Sequence, residues 1–115
     1  MFRFQTLEVW KKGVEFANLI IDVAESLPQR YQSSFGDQMR RAGLSVPNNI
    51  AEGNGRKTQK EANNLYNVAK GSTYECINMI IILEGRSLLK LEQLVKNRIY
   101  QLAEDISKML HGLMG

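Results

Sequence analysis

Basic residues gather where the chain also collects asparagine and glycine. Across residues 37–60, Arg40, Arg41, Arg56, Lys57 and Lys60 stand against only Asp37 and Glu52. Charges elsewhere cancel, so this window carries the whole net charge of +3. Five cations so placed have the chemistry to hold the phosphates of a nucleic acid, with Asn48, Asn49 and Asn54 as further hydrogen-bonding groups. Arg56 and Lys57 come just before a predicted helix, whose first N–H groups favour an anion. Lys60, in that helix's first turn, has the wrong sign for the dipole unless an anion meets it. A plainer reading pairs Arg40 and Arg41 with Asp37 and Glu52 and leaves the loop cations in solvent. No aromatic residue is interleaved with this window, so stacking of single-stranded bases is not expected.

Catalytic chemistry finds little support. His111 is the single histidine and Cys76 the single cysteine, so neither a zinc site nor a thiol–histidine pair can be assembled. Cys76 sits among apolar residues and reads as a buried, inert thiol. Glu61, Glu75 and Glu84 lack the E-x-x-H pattern of di-iron bundles. The segment GNGRKT lacks the spacing of a phosphate loop and follows no strand. The chain is therefore expected to be no enzyme and to need no metal or cofactor. It shows no secretory signal and no apolar run long enough for a membrane span, which makes a cytoplasmic location the expectation.

The elements that must position these residues follow from apolar period. With 115 residues, one domain over 1–115 is expected. A first helix over about 6–26 carries two adjacent stripes. One is Leu7, Trp10, Val14, Ala17, Ile21 and Ala24; the other is Val9, Phe16, Ile20, Val23 and Leu27. Pro28 closes it. A second helix starts near 35–37, where Asp37 suits the dipole and can pair with Arg41 at i+4. Its inward residues are Met39, Ala42, Val46 and Ile50. Pro47 should kink it, since its nitrogen carries no hydrogen for Gly43; a break with Ser45 as a new cap is the alternative. Arg41 and Glu52 share a face and could brace that kink through Asn48 or Asn49. Gly53 reads as the stop, followed by GNG residues that tolerate positive φ. Thr58 and Glu61 make a capping box for the third helix. Its inward set is Ala62, Leu65, Ala69, Ser72, Cys76, Met79 and Leu83. Gly85 ends it, and a fourth helix over about 88–113 uses Leu91, Val95, Ile99, Leu102, Ile106, Met109 and Leu113. The expected fold is all-α, an antiparallel up-and-down four-helix bundle.

Two features suggest self-association. Five consecutive apolar residues, MIIIL at 79–83, cannot all face one core at about 100° per residue, so Ile81 and Ile82 are assigned to an oligomer interface. Gly13, Gly43 and Gly71 lie inside helices at a cost of roughly 1 kcal/mol each relative to alanine, as positions of close helix approach do.

The segment QMRRAGLSVPNNIAEGNGR and the later KEANNLYNVAKGSTYE together resemble the signature of a family of small bacterial four-helix-bundle proteins. These are the proteins encoded in intervening sequences of 23S ribosomal RNA genes, also labelled as ribosomal-protein-like. The matching residues are Gln38, Arg40, Arg41, Ala42, Ser45, Val46, Pro47, Asn49, Ile50, Ala51, Glu52, Gly53, Arg56, Ala69, Lys70, Gly71, Ser72 and Glu75. The resemblance implies a bundle that assembles into a five-fold homo-oligomer. It extends more distantly to the accessory variability proteins of diversity-generating retroelements, which implies contacts with RNA or DNA and with a polymerase-like protein. Incorporation into ribosomes is not implied. Three departures stand out: Gly43–Leu44, Asn48, and the polar NNLY at the start of the third helix. Part of the signature, Asp37, Pro47, Asn49, Glu52, Gly53 and Gly71, is expected to be structural. The functional share then falls to Arg40, Arg56, Lys57 and Lys60.

Overall fold

The computed structural model describes residues 1–114, and its framework is four helices: α1 (Glu8–Glu25), α2 (Asp37–Asn54), α3 (Gln59–Gly85) and α4 (Gln93–Met114). Each helix packs on two neighbours, so that α1, α2, α3 and α4 close a ring around one apolar core. Among the described residues there is no strand. The fold is an all-α four-helix bundle. Its long dimension of 44 Å matches α3, which at 1.5 Å per residue is about 40 Å long. No helix is long and apolar enough to cross a membrane.

The apolar period selects the core with one instructive shift. On α1 the second stripe is buried throughout, with Val9, Phe16, Ile20, Val23 and Leu27 inside, whereas the first is buried only at its alanines, Ala17 and Ala24, and half-buried at Leu7, Trp10, Val14 and Ile21. Met39, Ala42, Val46 and Ile50 of α2 are buried as their spacing requires. On α3 Tyr66 takes the inside place expected for Leu65, and on α4 Leu110 replaces Leu113. Each fully buried aliphatic side chain in this set contributes about 1.5–3 kcal/mol.

Direction along the bundle is visible in its cross-helix contacts. Lys12 meets Asp105 at 3.0 Å, while Glu15 accepts two hydrogen bonds from Arg98, both of 2.6 Å. Gln59 reaches the carbonyl of Leu113 at 3.0 Å, and Glu84 pairs with Lys96 at 2.9 Å. Residue numbers rise along one helix of each pair as they fall along the other.

The helix ends depart from expectation in ways that have local causes. Thr6 belongs to a 3-10 turn over Arg3–Thr6, and α1 begins at Glu8 after an extended Leu7. The α1–α2 connection is itself helical, a 3-10 turn over Gln29–Tyr31 and a π turn over Gln32–Gly36 that runs straight into α2. Helix α2 continues unbroken through Pro47, so the break at Ser45 does not occur. Thr58 caps α3: its hydroxyl accepts the Glu61 N–H at 3.2 Å and donates to the Glu61 carboxylate at 3.0 Å.

Helix α3 ends at Gly85 as expected, and α2 runs past Gly53 to Asn54 with Gly55 as its C-cap, but neither end uses a left-handed glycine. Among the described residues no glycine has positive φ; the residue that does is Ser87, at 60°. Ser87 N–H reaches Glu84 C=O and Leu88 N–H reaches Leu83 C=O, both at 3.0 Å. That is the paired closure of a Schellman cap, with serine in the left-handed place glycine usually fills. The turn sends residues 88–92 off as a connection with Leu89 buried, so α4 starts at Gln93 rather than Leu88.

Candidate nucleic-acid interface

The two ends of α2 treat their cations differently. Near its start, Arg40 is half-buried and makes three side-chain hydrogen bonds within the fold. Its Nη1 donates to Gln32 Oε1 at 2.9 Å, and its Nη2 to the Gln32 carbonyl and to Asp37 Oδ1, both at 2.7 Å. Gln32 in turn donates its amide to the carbonyls of Ala24 and Leu27, both at 2.9 Å, closing the C-terminal end of α1. Arg40 therefore ties the π turn, the end of α1 and the first turn of α2 together. Arg41, its neighbour, is exposed and has no ion-pair partner among the described residues. The expected roles are exchanged: Asp37 pairs with Arg40, not with Arg41, because the π turn presents Gln32 to the i+3 side of α2.

The brace expected between Arg41 and Glu52 is also absent. Eleven helical residues separate their Cα atoms by about 16 Å, and Glu52 instead accepts from Arg56 Nη2 at 2.6 Å, one turn on. Asn49 turns back on its own helix, donating to the Ser45 carbonyl at 2.8 Å and to Ser45 Oγ at 3.0 Å. Ser45 Oγ also accepts from Ser72 Oγ of α3 at 2.8 Å. Thus Ser45, Asn49 and Ser72, drawn from separate segments, form one polar contact between α2 and α3.

Three glycines admit a neighbour. A Cβ on Gly53 would lie 2.7 Å from Tyr66 Cε1, so α3 seats its tyrosine ring directly on the α2 backbone. Gly43 would meet Ile20 at 3.0 Å, and Gly13 would meet Ile50 at 3.3 Å and the Pro47 Cα at 3.5 Å. Pro47 is buried in that α1–α2 seam. Gly71 differs: it is exposed, with open space over it.

At the far end of α2 the cations Arg56, Lys57 and Lys60 are all exposed. Arg56 has the Glu52 pair; Lys57 and Lys60 have no ion-pair partner among the described residues. They are about 24 Å along the bundle from Arg40, sixteen residues of helix and turn, so the five cations do not form one patch. A residue absent from the expected set joins them. Arg3 folds over from the N-terminal turn and donates to the Asn54 carbonyl at 2.8 Å and to Asn54 Oδ1 at 3.4 Å. A cleft of about 240 Å³ results, lined by Arg3, Asn54, Arg56, Lys57, Thr58 and Tyr66 among others. The signal was present in the sequence as FRF, an arginine between two aromatics.

Burial, with the nearby Glu75 carboxylate adding to it, pushes the Cys76 thiol up to about 12, which leaves it protonated and unreactive at neutral pH. On α3, Ile81 and Ile82 are 54% and 51% exposed. Asn64, Asn67, Gly71, Tyr74, Asn78 and Ile81 follow one exposed line at alternating spacings of three and four, with no charge among them. Beside it, a groove of about 400 Å³ runs between α3 and α4, walled by Tyr74, Ile77, Ile81, Tyr100 and Ala103.

No curated protein matches the chain. Residues 5–112 match the family described as 23S rRNA-intervening sequence protein, and with nearly the whole bundle covered, the chain belongs to that family.

Proposed function

We propose that the protein is a non-enzymatic, self-associating protein that binds nucleic acid through the cationic α2–α3 turn. The observation that carries this reading is the cleft at that turn, where Arg3, Arg56 and Lys57 converge while Lys57 and the neighbouring Lys60 lack carboxylate partners among the described residues. Unpaired cations at one helix start oppose each other and the dipole, and a polyanion relieves both costs. The family's description, which names a ribosomal RNA intervening sequence, is in keeping with a nucleic-acid association. Arg40 is left out of this interface because its charge is already paired with Asp37 and its Nη groups tie the connection to α1.

Self-association is supported by the outer line of α3. Its three–four spacing, open glycine and exposed isoleucines are the features by which a second helix can dock closely. A ring of subunits, five by the family resemblance, would repeat the cationic turn and make binding steeply salt-dependent. A second reading is favoured by the apolar α3–α4 groove: a scaffold for a protein partner, such as a polymerase-like enzyme, with no direct nucleic-acid contact.

Fluorescence anisotropy with labelled RNA and DNA at two salt concentrations, with subunit count from light scattering, separates the readings. Saturable, salt-sensitive binding that is lost on changing Arg56, Lys57 and Lys60 to glutamine supports the first. Absence of binding at low salt overturns it in favour of the scaffold.

A further inference from the structure

The N-terminal turn brings aromatic surface to the cationic cleft, against the expectation from sequence. Its geometry is well held: Phe2 N–H donates to Gln5 Oε1 at 2.8 Å, and Thr6 Oγ1 donates to the Arg3 carbonyl at 2.7 Å. Phe4 is half-buried and meets Trp10 of α1 edge to face, with ring centroids 5.2 Å apart. Phe2 stacks on Phe4 at 5.7 Å with the planes 14° apart, yet remains 71% exposed. One face of the Phe2 ring is thus backed by Phe4, and the other is open. A cleft of about 270 Å³ lies against Phe2, Arg3, Phe4, Asn54 and Arg56. It shares Arg3, Asn54 and Arg56 with the cleft of the α2–α3 turn, so aromatic and cationic surfaces are continuous across Arg3.

We propose that this continuous site takes an unpaired nucleotide of a single-stranded nucleic acid, its base on the open face of Phe2 and its flanking phosphates on Arg3, Arg56 and Lys57. The inference rests on the nucleic-acid reading above and narrows it. Bases inside a duplex present edges, not faces, so away from duplex ends a phenyl ring can be stacked only by a base free of its neighbours. The backing by Phe4 and Trp10 holds Phe2 as a platform and lowers the entropy lost when a base arrives. Arg3 keeps its Nη1 group free, because Asn54 engages only Nε and Nη2; it can meet a phosphate without releasing the turn. Phe2 and Arg3 precede residue 5, where the family match begins. The site therefore combines Arg56 and Lys57 from within the matched region with Phe2 and Arg3 from before it.

The test compares single-stranded RNA, single-stranded DNA and a duplex of the same sequence with covalently capped ends by anisotropy at low salt. The single strands are expected to bind more tightly than the duplex, and the better of RNA and DNA identifies the source of the nucleotide. Phe2→Ala should weaken single-strand binding about tenfold and leave the duplex unchanged, whereas Phe2→Trp should hold or tighten it. Since Phe2 is exposed, helix content measured by circular dichroism should be the same in all three proteins. Duplex binding as tight as single-strand binding, or single-strand affinity indifferent to Phe2→Ala, overturns this inference while the nucleic-acid reading stands. No binding of any of the three at low salt overturns both.

Discussion

Helix α2 has an arginine-rich beginning and a cationic end, and the fold uses them in opposite ways. At the beginning, Arg40 spends its donors on Gln32 and Asp37 and is 28% exposed at the side chain. At the end, Lys57 and Lys60 stand in solvent beside a cleft, with Arg3 arriving from another segment. Equal charge does not mean equal role. A guanidinium's planar fork can satisfy several acceptors in a crowded connection, whereas lysines that meet no acceptor remain available to a ligand. The α2–α3 turn pairs this polar freedom with the tightest backbone contact in the bundle, Gly53 against Tyr66.

That contrast can be broken at several points. Gly53→Ala has the largest expected effect, because the new methyl group meets an aromatic ring at 2.7 Å. Chemical denaturation should show a loss of about 2–3 kcal/mol. Gly71→Ala, with open space above it, should instead stabilise an isolated subunit by about 0.5–1 kcal/mol through helix propensity. If light scattering shows an assembly and Gly71→Ala weakens it, the outer line of α3 is the seam.

Arg40→Gln should cost about 1–2 kcal/mol, since it removes charge-assisted bonds that close α1 and start α2. Arg41→Gln should stay within about 0.5 kcal/mol. Matched denaturation curves for this pair test whether the two arginines differ as their surroundings require; equal losses would contradict the tie that Arg40 makes between α1 and α2. Changing Arg56, Lys57 and Lys60 to glutamine together should leave stability nearly unaltered, with its effect read in nucleic-acid affinity and salt slope.

Ser87→Gly should raise stability by about 0.5–1 kcal/mol. It relieves a left-handed serine at φ 60° and gives back part of the gain through the more flexible unfolded chain. A fall in stability on this change would show that Ser87 has a role beyond turning the chain.

The smallest effect concerns pH. The hydrogen bonds from Arg98 hold the Glu15 carboxyl below its ordinary range, and the bond from Lys12, with Gln101 assisting, does the same for Asp105. A carboxylate with a depressed folded-state pKa contributes fully above its unfolded value and loses that contribution as pH falls through the folded one. Both pairs join α1 to α4, so stability should be flat near neutrality and decline in the acid range below roughly pH 4. Because these groups are exposed, the decline attributable to them is modest. Glu15→Gln should flatten part of it, and an unchanged acid limb would show that other carboxylates dominate.

The residues that read correctly from sequence are those whose partners lie within a turn or two. Thr58 and Glu61 declare the start of α3, and Met39, Ala42, Val46 and Ile50 declare the inner face of α2. Ser45, Asn49 and Ser72 were legible as parts of a motif, but not as one contact across two helices. Arg3 and Phe2 were missed because their place depends on a contact spanning 51 residues, Arg3 to Asn54. Gly55 closes α2 at a right-handed φ of −86°, and the left-handed residue is Ser87 after α3, a place that turn propensity does not single out.

The amino-acid sequence by itself determined the four helices, their all-α packing and the family, because helical period, caps and turn residues act through short-range backbone and hydrophobic forces. Tertiary structure alone decided how deeply each of two adjacent stripes on α1 is buried, which of two neighbouring arginines was consumed, and which distant residues met at the cationic turn. Those choices depend on the angle and depth at which helices dock. Close packing sets both, through fits between side chains of distant segments that a one-dimensional pattern does not encode.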